Sequence, residues 1–506
     1  VTLTINVQSA AGRAAFNIGT QTDVTNVQPT TGALDKLADK ELWLSVGATA
    51  WENAQLTLRR IRPRDTQPTT YAYVRNADPA RPVKLRDVKA LGCNGLKVSG
   101  LTPTWDSYGS TLFWATVDGV TYGSAEIHCD GFIVGARTKL QTLNTWPDAF
   151  KFESTRTFSV TNTVADCIMQ LVKVGGSSTT HTICDAGTIT NNQARRFRNN
   201  GVFIGGGHAG FVCDSITIED NVFIEPSQYD IALHPDCVQL SGNANTGVVS
   251  NIVVRRNIGA VLGGLSRMQF FFGRTDAAND NHTNITVEGN IGLIGAVWGA
   301  YDGPGAGKII RGNLFIYDPN NFGADGLARS LNLGGGVISA QITNQPRIGF
   351  YDYPTDSRWS GIIIDNNILQ NDPNDYLAIA TVTNNVDLPM TAADPNGFAA
   401  LTTLFNDPAS LRKDPSVWAA MTVAQIKTEI VRCLKPKAGS SIATIGPLTT
   451  DGQWRYGGEY IPPVDVPEPP TTPTWTEIPA NDDDWTPTSI ATGTWTQQPI
   501  AAGTWS

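Results

Sequence analysis

A short pattern recurs along the middle of the chain, and its clearest copy is Ile216-Thr-Ile218-Glu-Asp-Asn221-Val222-Phe-Ile224. It returns around Ile252, Val254, Asn257 and Ile258, around Ile285, Val287, Asn290, Ile291 and Leu293, and around Ile362, Ile364, Asn367 and Ile368. A weaker copy keeps Ile310, Asn313, Leu314 and Ile316 but has Lys308 where its first apolar residue belongs. Each copy alternates apolar and polar residues at period two on both sides of a polar pair followed by Asn, which reads as two short strands meeting at a corner. Asn suits such a corner. Its amide tolerates left-handed backbone, bonds its own main chain and, in stacked copies, passes hydrogen bonds along a ladder.

Successive asparagines lie 36, 33, 23 and 54 residues apart, as expected for solenoid coils with loops of unequal length inserted on some turns. An antiparallel sandwich or barrel also uses many short strands. Its two-residue hairpins would need Asn-Gly or Asp-Gly at the centre, whereas the pairs here are Glu219-Asp220, Arg255-Arg256, Glu288-Gly289, Arg311-Gly312 and Asp365-Asn366. The expected fold is therefore all-β, a right-handed parallel β-helix in which each coil buries its Ile and Val against the next.

A chain of 506 residues is too long for one compact core and long enough for a rod with appendages, and its 49 glycines suit many corners. A body of roughly ten coils at about 4.8 Å per rung would measure on the order of 45 to 50 Å. No apolar run is long enough to span a membrane, and the opening Val1 to Val7 alternation carries no secretory signal. The net charge of −9 argues against nucleic acid as a partner. Local basic groups at Arg59, Arg60, Arg62 and Arg64, and at Arg195, Arg196 and Arg198, read as solvated strand faces or as contacts with an acidic glycan. Seven cysteines without a Cys-x-x-Cys pair suggest no metal site. Cys93, Cys129 and Cys167, and then Cys184, Cys213 and Cys237, recur near the coil period and read as small apolar filler.

Four segments follow. Residues 1–82 lack the corner, include a helical stretch over 34–44, and form an amino-terminal attachment or capping segment. The β-helix body covers 83–370. A cap region at 371–460 contains a helix near 423–434, opened by a capping box at Thr422 to Gln425 and expected to pack over the last coil. Residues 461–506 join a Pro-rich linker to a tail in which Trp475, Trp485, Trp495 and Trp505 recur every ten residues. So short a tail cannot form its own core, so these tryptophans are read as anchors on copies of the chain or on another protein.

The densest candidate for chemistry is Tyr229-Asp230-Ile-Ala-Leu-His234-Pro-Asp236-Cys-Val-Gln239, between two copies of the coil pattern. His234 is a proton shuttle, Asp230 and Asp236 are carboxylates, and Gln239 is a hydrogen-bond partner for a sugar. Arg255 and Arg256, one coil on, would neutralise a uronate carboxylate, and Trp298 and Tyr301 would offer a stacking edge. Phe270, Phe271 and Phe272 read as coil interior or trimer contact, and Gly205 to Gly210 around His208 as a tight glycine corner.

Asn-cornered coils with a His-x-Asp-x-x-Gln strand resemble the pectate-lyase-like β-helix proteins, particularly those of bacteriophage tails that recognise or cut surface polysaccharides. The resemblance covers about 83–370 and implies a virion tail-spike or tail-fibre protein. Such a protein would be made in the host cytoplasm as a homotrimer, joined to another tail or baseplate protein and presenting a polysaccharide-binding face. It implies no cofactor, with calcium added only if the chain is a lyase. The alternatives are an active polysaccharide lyase or glycoside hydrolase outside a virion, and a purely structural virion component.

Overall fold

The computed structural model describes residues 2–7, 15–18, 24–29, 41–44, 55–61, 71–76, 83–106, 110–118, 123–137, 146–175, 182–206, 210–226, 235–242, 247–262, 268–275, 281–295, 298–303, 305–318, 329–332, 336–339, 347–350, 359–370, 380–388 and 398–456. Its strands pair in parallel from coil to coil, with one antiparallel pair, Arg329–Asn332 with Gly336–Ser339, among the described strands. The protein is a parallel β-helix. One sheet precedes the Asn corner and includes Val212–Glu219, Val248–Arg255 and Asn281–Glu288. A short sheet follows the corner, with Val222–Ile224, Ile258–Ala260 and Ile291–Ile294. A third, long face contains Asp148–Glu153, Asp236–Gly242 and Gln269–Thr275.

The Asn ladder runs through the core. Asn192, Asn221, Asn257, Asn290, Asn313 and Asn367 are all completely buried. Each donates from its side-chain nitrogen to the amide oxygen of the next at 2.9 to 3.1 Å, ending on Asn385. The same oxygen accepts the backbone N–H of the preceding Asn at 2.9 to 3.0 Å. The second amide proton reaches a main-chain carbonyl on the coil behind, from Val160 to Ile364, at 2.8 to 2.9 Å. No polar atom of the amide is left over.

The left-handed residue is not the Asn itself, as expected, but the one before it. Asn191, Asp220, Arg256, Gly289, Gly312, Asn366 and Asn384 have φ between 51° and 63°. Turning the chain one residue early leaves Asn with its side chain aimed inward, where the amide is worth most. One corner needs glycine for a further reason, since a Cβ at Gly312 would run into the ring of Tyr456, while one at Gly289 would press more lightly on the same residue.

The parallel ladder also crosses the boundary expected at 82/83. Gln55–Arg59 pairs with Asp87–Leu91, and Ala72–Asn76 pairs with Asn94–Ser99. The ladder continues back to Thr2–Val7 and Ala15–Ile18. Within the stretch expected to be helical, Glu41–Leu44 is a strand, because its alternating Leu-Trp-Leu finds parallel partners on both sides.

The capping-box helix is Val423–Leu434, with Thr422 and Gln425 bonded reciprocally. It does not cover the end of the rod. Val423, Ile426, Ile430 and Leu434 pack with the outward residues of the short sheet, Val222, Ile224, Ile258, Ala260, Ile291, Leu293, Leu314, Ile316 and Ile368. Phe223 and Phe315 of the same strands face the opposite way, into the coil core. The short sheet is thus buried on both faces, which explains its nearly unbroken apolar runs. Polar straps hold the segment down: Arg195 donates to the carbonyls of Met421 and Trp418, Arg256 to that of Tyr456, and Gly446 N–H to that of Asn366.

All seven cysteines are buried, and Cys184 and Cys213 are direct register partners. Burial pushes the Cys93 and Cys184 thiols up to about 12, so they behave as apolar filler. Replacing Asn257 by Ala should strand the amide groups of both neighbouring rungs. At about 1–3 kcal/mol per buried unpaired group, urea unfolding should show a loss of about 3 kcal/mol or more, while Asn284→Ala on an exposed corner should cost much less.

Candidate functional site

The long face is built from a second repeated pattern: Asp148-Ala-Phe-Lys151, Gln170-Leu-Val-Lys173, Asn200-Gly-Val-Phe203, Asp236-Cys-Val-Gln239 and Gln269-Phe-Phe-Phe272. The two middle residues of each enter the core, where Ala149, Phe150, Leu171, Val172, Val202, Cys237, Val238, Phe270 and Phe271 lie. At the glycine of the third copy, a Cβ would meet Phe223. The flanking residues stack into two straight columns, the last residue of each copy half-exposed and the first, in Gln170, Asn200, Asp236 and Gln269, buried.

One column runs Lys89, Trp114, Lys151, Lys173, Phe203, Gln239, Phe272 and Tyr301 on consecutive rungs. All eight side chains are half-buried. The lysine ammonium groups of Lys89 and Lys151 lie 5.6 and 5.3 Å from the Trp114 ring, and that of Lys173 lies 5.7 Å from Phe203. Phe272 and Tyr301 are stacked at 5.4 Å. Glu153 accepts from the Trp114 indole at 2.8 Å and pairs with Lys151 at 2.5 Å. Lys89 and Lys173 have no carboxylate ion pair among the described residues.

The second column is Asp148, Gln170, Asn200, Asp236 and Gln269. Gln170 donates to Asp148 at 3.0 Å and Asn200 to Gln239 at 2.9 Å. Those bonds orient the amides, and the carbonyl oxygens of Gln170, Asn200 and Gln269 are buried without a partner. Burial raises the Asp148 carboxyl against the opposing pull of Lys173 and Gln170. Asp148 and Asp236 stand three rungs apart, about 14 Å at the usual strand spacing. A glycosidase pair works at roughly 5 to 10 Å, so these two carboxylates do not form one.

Of the residues singled out from sequence, Gln239 and Tyr301 share a column, one rung either side of Phe272, and Asp236 lies beside them, completely buried. Tyr229, Asp230, His234 and His208 lie outside the described residues, as do the four tail tryptophans. Trp298 is described in its backbone alone, in the strand Trp298–Asp302. The structure does not bring Arg255 and Arg256 to this face. Arg255 sits in the sheet before the Asn corner and pairs with Glu219 at 2.6 Å. Arg256 is buried at the corner against Asp220 at 2.8 Å. Both belong to coil-to-coil pairing: Glu219, Arg255, Glu288, Arg311 and Asp365 alternate in sign along one column. Arg195 and Arg196 are likewise engaged, with Glu225 and Asp166. Of the three phenylalanines, Phe270 and Phe271 are interior and Phe272 faces out.

A cluster that the sequence pattern did not expose lies inside the rod. Asp302 accepts from His282 Nδ1 at 2.9 Å, from Gly303 N–H at 2.8 Å and from the Lys308 ammonium. All three side chains are at most 2% exposed. Burial opposes the Asp302 charge, yet Lys308 and His282 hold the carboxyl below its ordinary value. Burial draws Lys308 down against the pull of Asp302. Gly273 leaves the space that the Asp302 carboxylate fills. This explains the odd Lys in the weak coil copy: it occupies the inward position of Ile285 on the preceding coil and pairs there. Sealed from solvent, the cluster is structural.

No family model matches the chain, and no curated protein matches it. Among solved structures, it is similar to PfbA, a surface adhesin of Streptococcus pneumoniae, at 10% identity over 74% of this chain and 80% of that one, with a TM-score of 0.42. It is also similar to the A-module of the mannuronan C-5 epimerase AlgE6 of Azotobacter vinelandii, at 11% identity over 69% and 91%, TM-score 0.29. A third likeness is to the Dettilon tailspike protein, at 11% identity over 69% and 61%, TM-score 0.25. The fold rests on the strand pairing itself.

Lys308→Met should leave the Asp302 charge buried without its cation, a loss of about 3–5 kcal/mol. Adding Asp302→Asn should recover a large part of it. Urea unfolding of the single and double variants measures both.

Proposed function

We propose that the protein binds an extended, acidic surface polysaccharide along the long face. The observation that carries this reading is the outward column of Lys89, Trp114, Lys151, Lys173, Phe203, Gln239, Phe272 and Tyr301. Aromatic rings supply faces for sugar stacking, and the lysines supply positive charge on a chain of net charge −9. The straight rungs suit a polymer better than a small ligand.

The finer reading is a bacteriophage tail spike or tail fibre that docks on a host surface glycan. In that setting the chain assembles as a homotrimer, and Trp475, Trp485, Trp495 and Trp505 anchor it to its copies or to a tail or baseplate protein. Gel filtration with light scattering on the full chain and on a chain ending at residue 460 tests the assembly. A full-length monomer, or an unchanged oligomer after truncation, would overturn it.

Polygalacturonate and dextran, immobilised separately, serve as acidic and neutral probes of the long face. The acidic polymer should bind, and binding should weaken as salt screens Lys89 and Lys173. Trp114→Ala and Tyr301→Ala should each lower affinity about tenfold, which corresponds to about 1.4 kcal/mol. Equal binding of both polymers, or undiminished binding by both variants, would reject the long face as the site.

A further inference from the structure

The sheet before the Asn corner carries a different outward column, Tyr73, Lys97, His128 and Ser159 on four successive rungs. Ser159 Oγ lies 2.9 Å from His128 Nδ1. On the other side of the ring, His128 Nε2 lies 3.3 Å from Glu126 Oε2, which also accepts from the Tyr71 hydroxyl at 3.1 Å. The order is hydroxyl, imidazole, carboxylate.

An ionised carboxylate only accepts, so Glu126 keeps the ring proton on Nε2 and leaves the Nδ1 lone pair toward Ser159. That is the tautomer a general base needs. Burial holds the imidazole below its ordinary value, with Glu126 pulling the other way and Lys97 adding to the lowering. The ring is therefore neutral at pH 7, and with its side chain 24% exposed it remains within reach of solvent. Tyr71 braces it edge-on at 5.4 Å. Lys97, one rung away, lies 4.1 Å from the Tyr71 ring and has no carboxylate ion pair among the described residues.

We propose that Ser159, His128 and Glu126 form a nucleophilic relay that hydrolyses short carboxylic esters, such as acyl groups on sugar hydroxyls. Ser159 Oγ bonds to the ester carbonyl carbon as its proton passes to His128 Nδ1. The ester C–O bond then breaks, and His128 returns the proton to the departing alkoxide. Water, deprotonated by His128, cleaves the acyl-Ser159 bond, releases the carboxylic acid and restores the hydroxyl. Ser159 and His128 are catalytic residues, and Glu126 is a positioning residue. The activity does not depend on the long face.

The test uses the full chain with p-nitrophenyl acetate and a fluorophosphonate probe. The wild type should turn over the ester, and mass spectrometry should find one probe on the peptide containing Ser159. Ser159→Ala should abolish labelling and lower the rate at least 100-fold, and His128→Gln should do the same to the rate. Activity should rise with pH along a single ionisation. Because Glu126 raises that ionisation, Glu126→Gln should move its midpoint down and lower kcat with little change in KM. Glu126→Asp should restore part of kcat. A wild type that leaves Ser159 unlabelled, or a Ser159→Ala protein that hydrolyses the ester at the wild-type rate, would overturn the assignment. Labelling of the wild type stands whatever the variants do to folding.

Discussion

Everything in the rod depends on keeping a side-chain amide in register inside an otherwise apolar column. A buried Asn left unpaired is costly, and here each one is paired at every polar atom, to the rung ahead and the coil behind. Slipping one strand by a residue would carry the amide out of the ladder and strand the partners on both sides. The ladder fixes register only at the corner. The chain is free to differ elsewhere, which is why neighbouring asparagines are as few as 18 and as many as 54 residues apart without a break in the stack.

Much of this was legible in the residues. The alternation around Asn221, Asn257, Asn290, Asn313 and Asn367 announced stacked corners, and the capping box announced the helix at Val423–Leu434. Asn192 and Asn385 belong to the same ladder but were passed over, since Gly187 and Ala380 stand where a larger aliphatic residue would complete the pattern. The binding face was harder to see. Its repeat keeps two inward apolar residues while the outward position varies from Lys to Phe to Gln, so no single residue type recurs. Arg255 and Arg256 misled for a physical reason: both are taken up by Glu219 and Asp220 of the preceding coil, and charge alone does not tell an ion-pair rung from a ligand contact. Glu126 and His128 sit two apart in one strand, Glu126 at a left-handed kink, and Ser159 reaches them only through the stacking of coils.

The parallel rungs explain how one architecture presents two separate surfaces. Successive coils align like positions within a few ångströms, so a column of rings and ammonium groups forms on one sheet and a hydroxyl-imidazole-carboxylate series on another. Neither requires a pocket. The interior cluster of His282, Asp302 and Lys308 follows the same geometry turned inward, where the absence of water makes pairing compulsory.

The carboxy-terminal segment has a consequence of its own. A stack held only by nearest-neighbour contacts tolerates the gain or loss of whole turns, because each new interface resembles the last. Here residues 398–456 lie alongside the stack and grip it at separate heights, near Arg195, at Arg256 and at Asn366. Duplicating or deleting one turn between those heights would throw the grips out of step by a full rung. The segment therefore acts as a measuring stick, and the number of turns between its first and last hold is set for as long as the segment is kept.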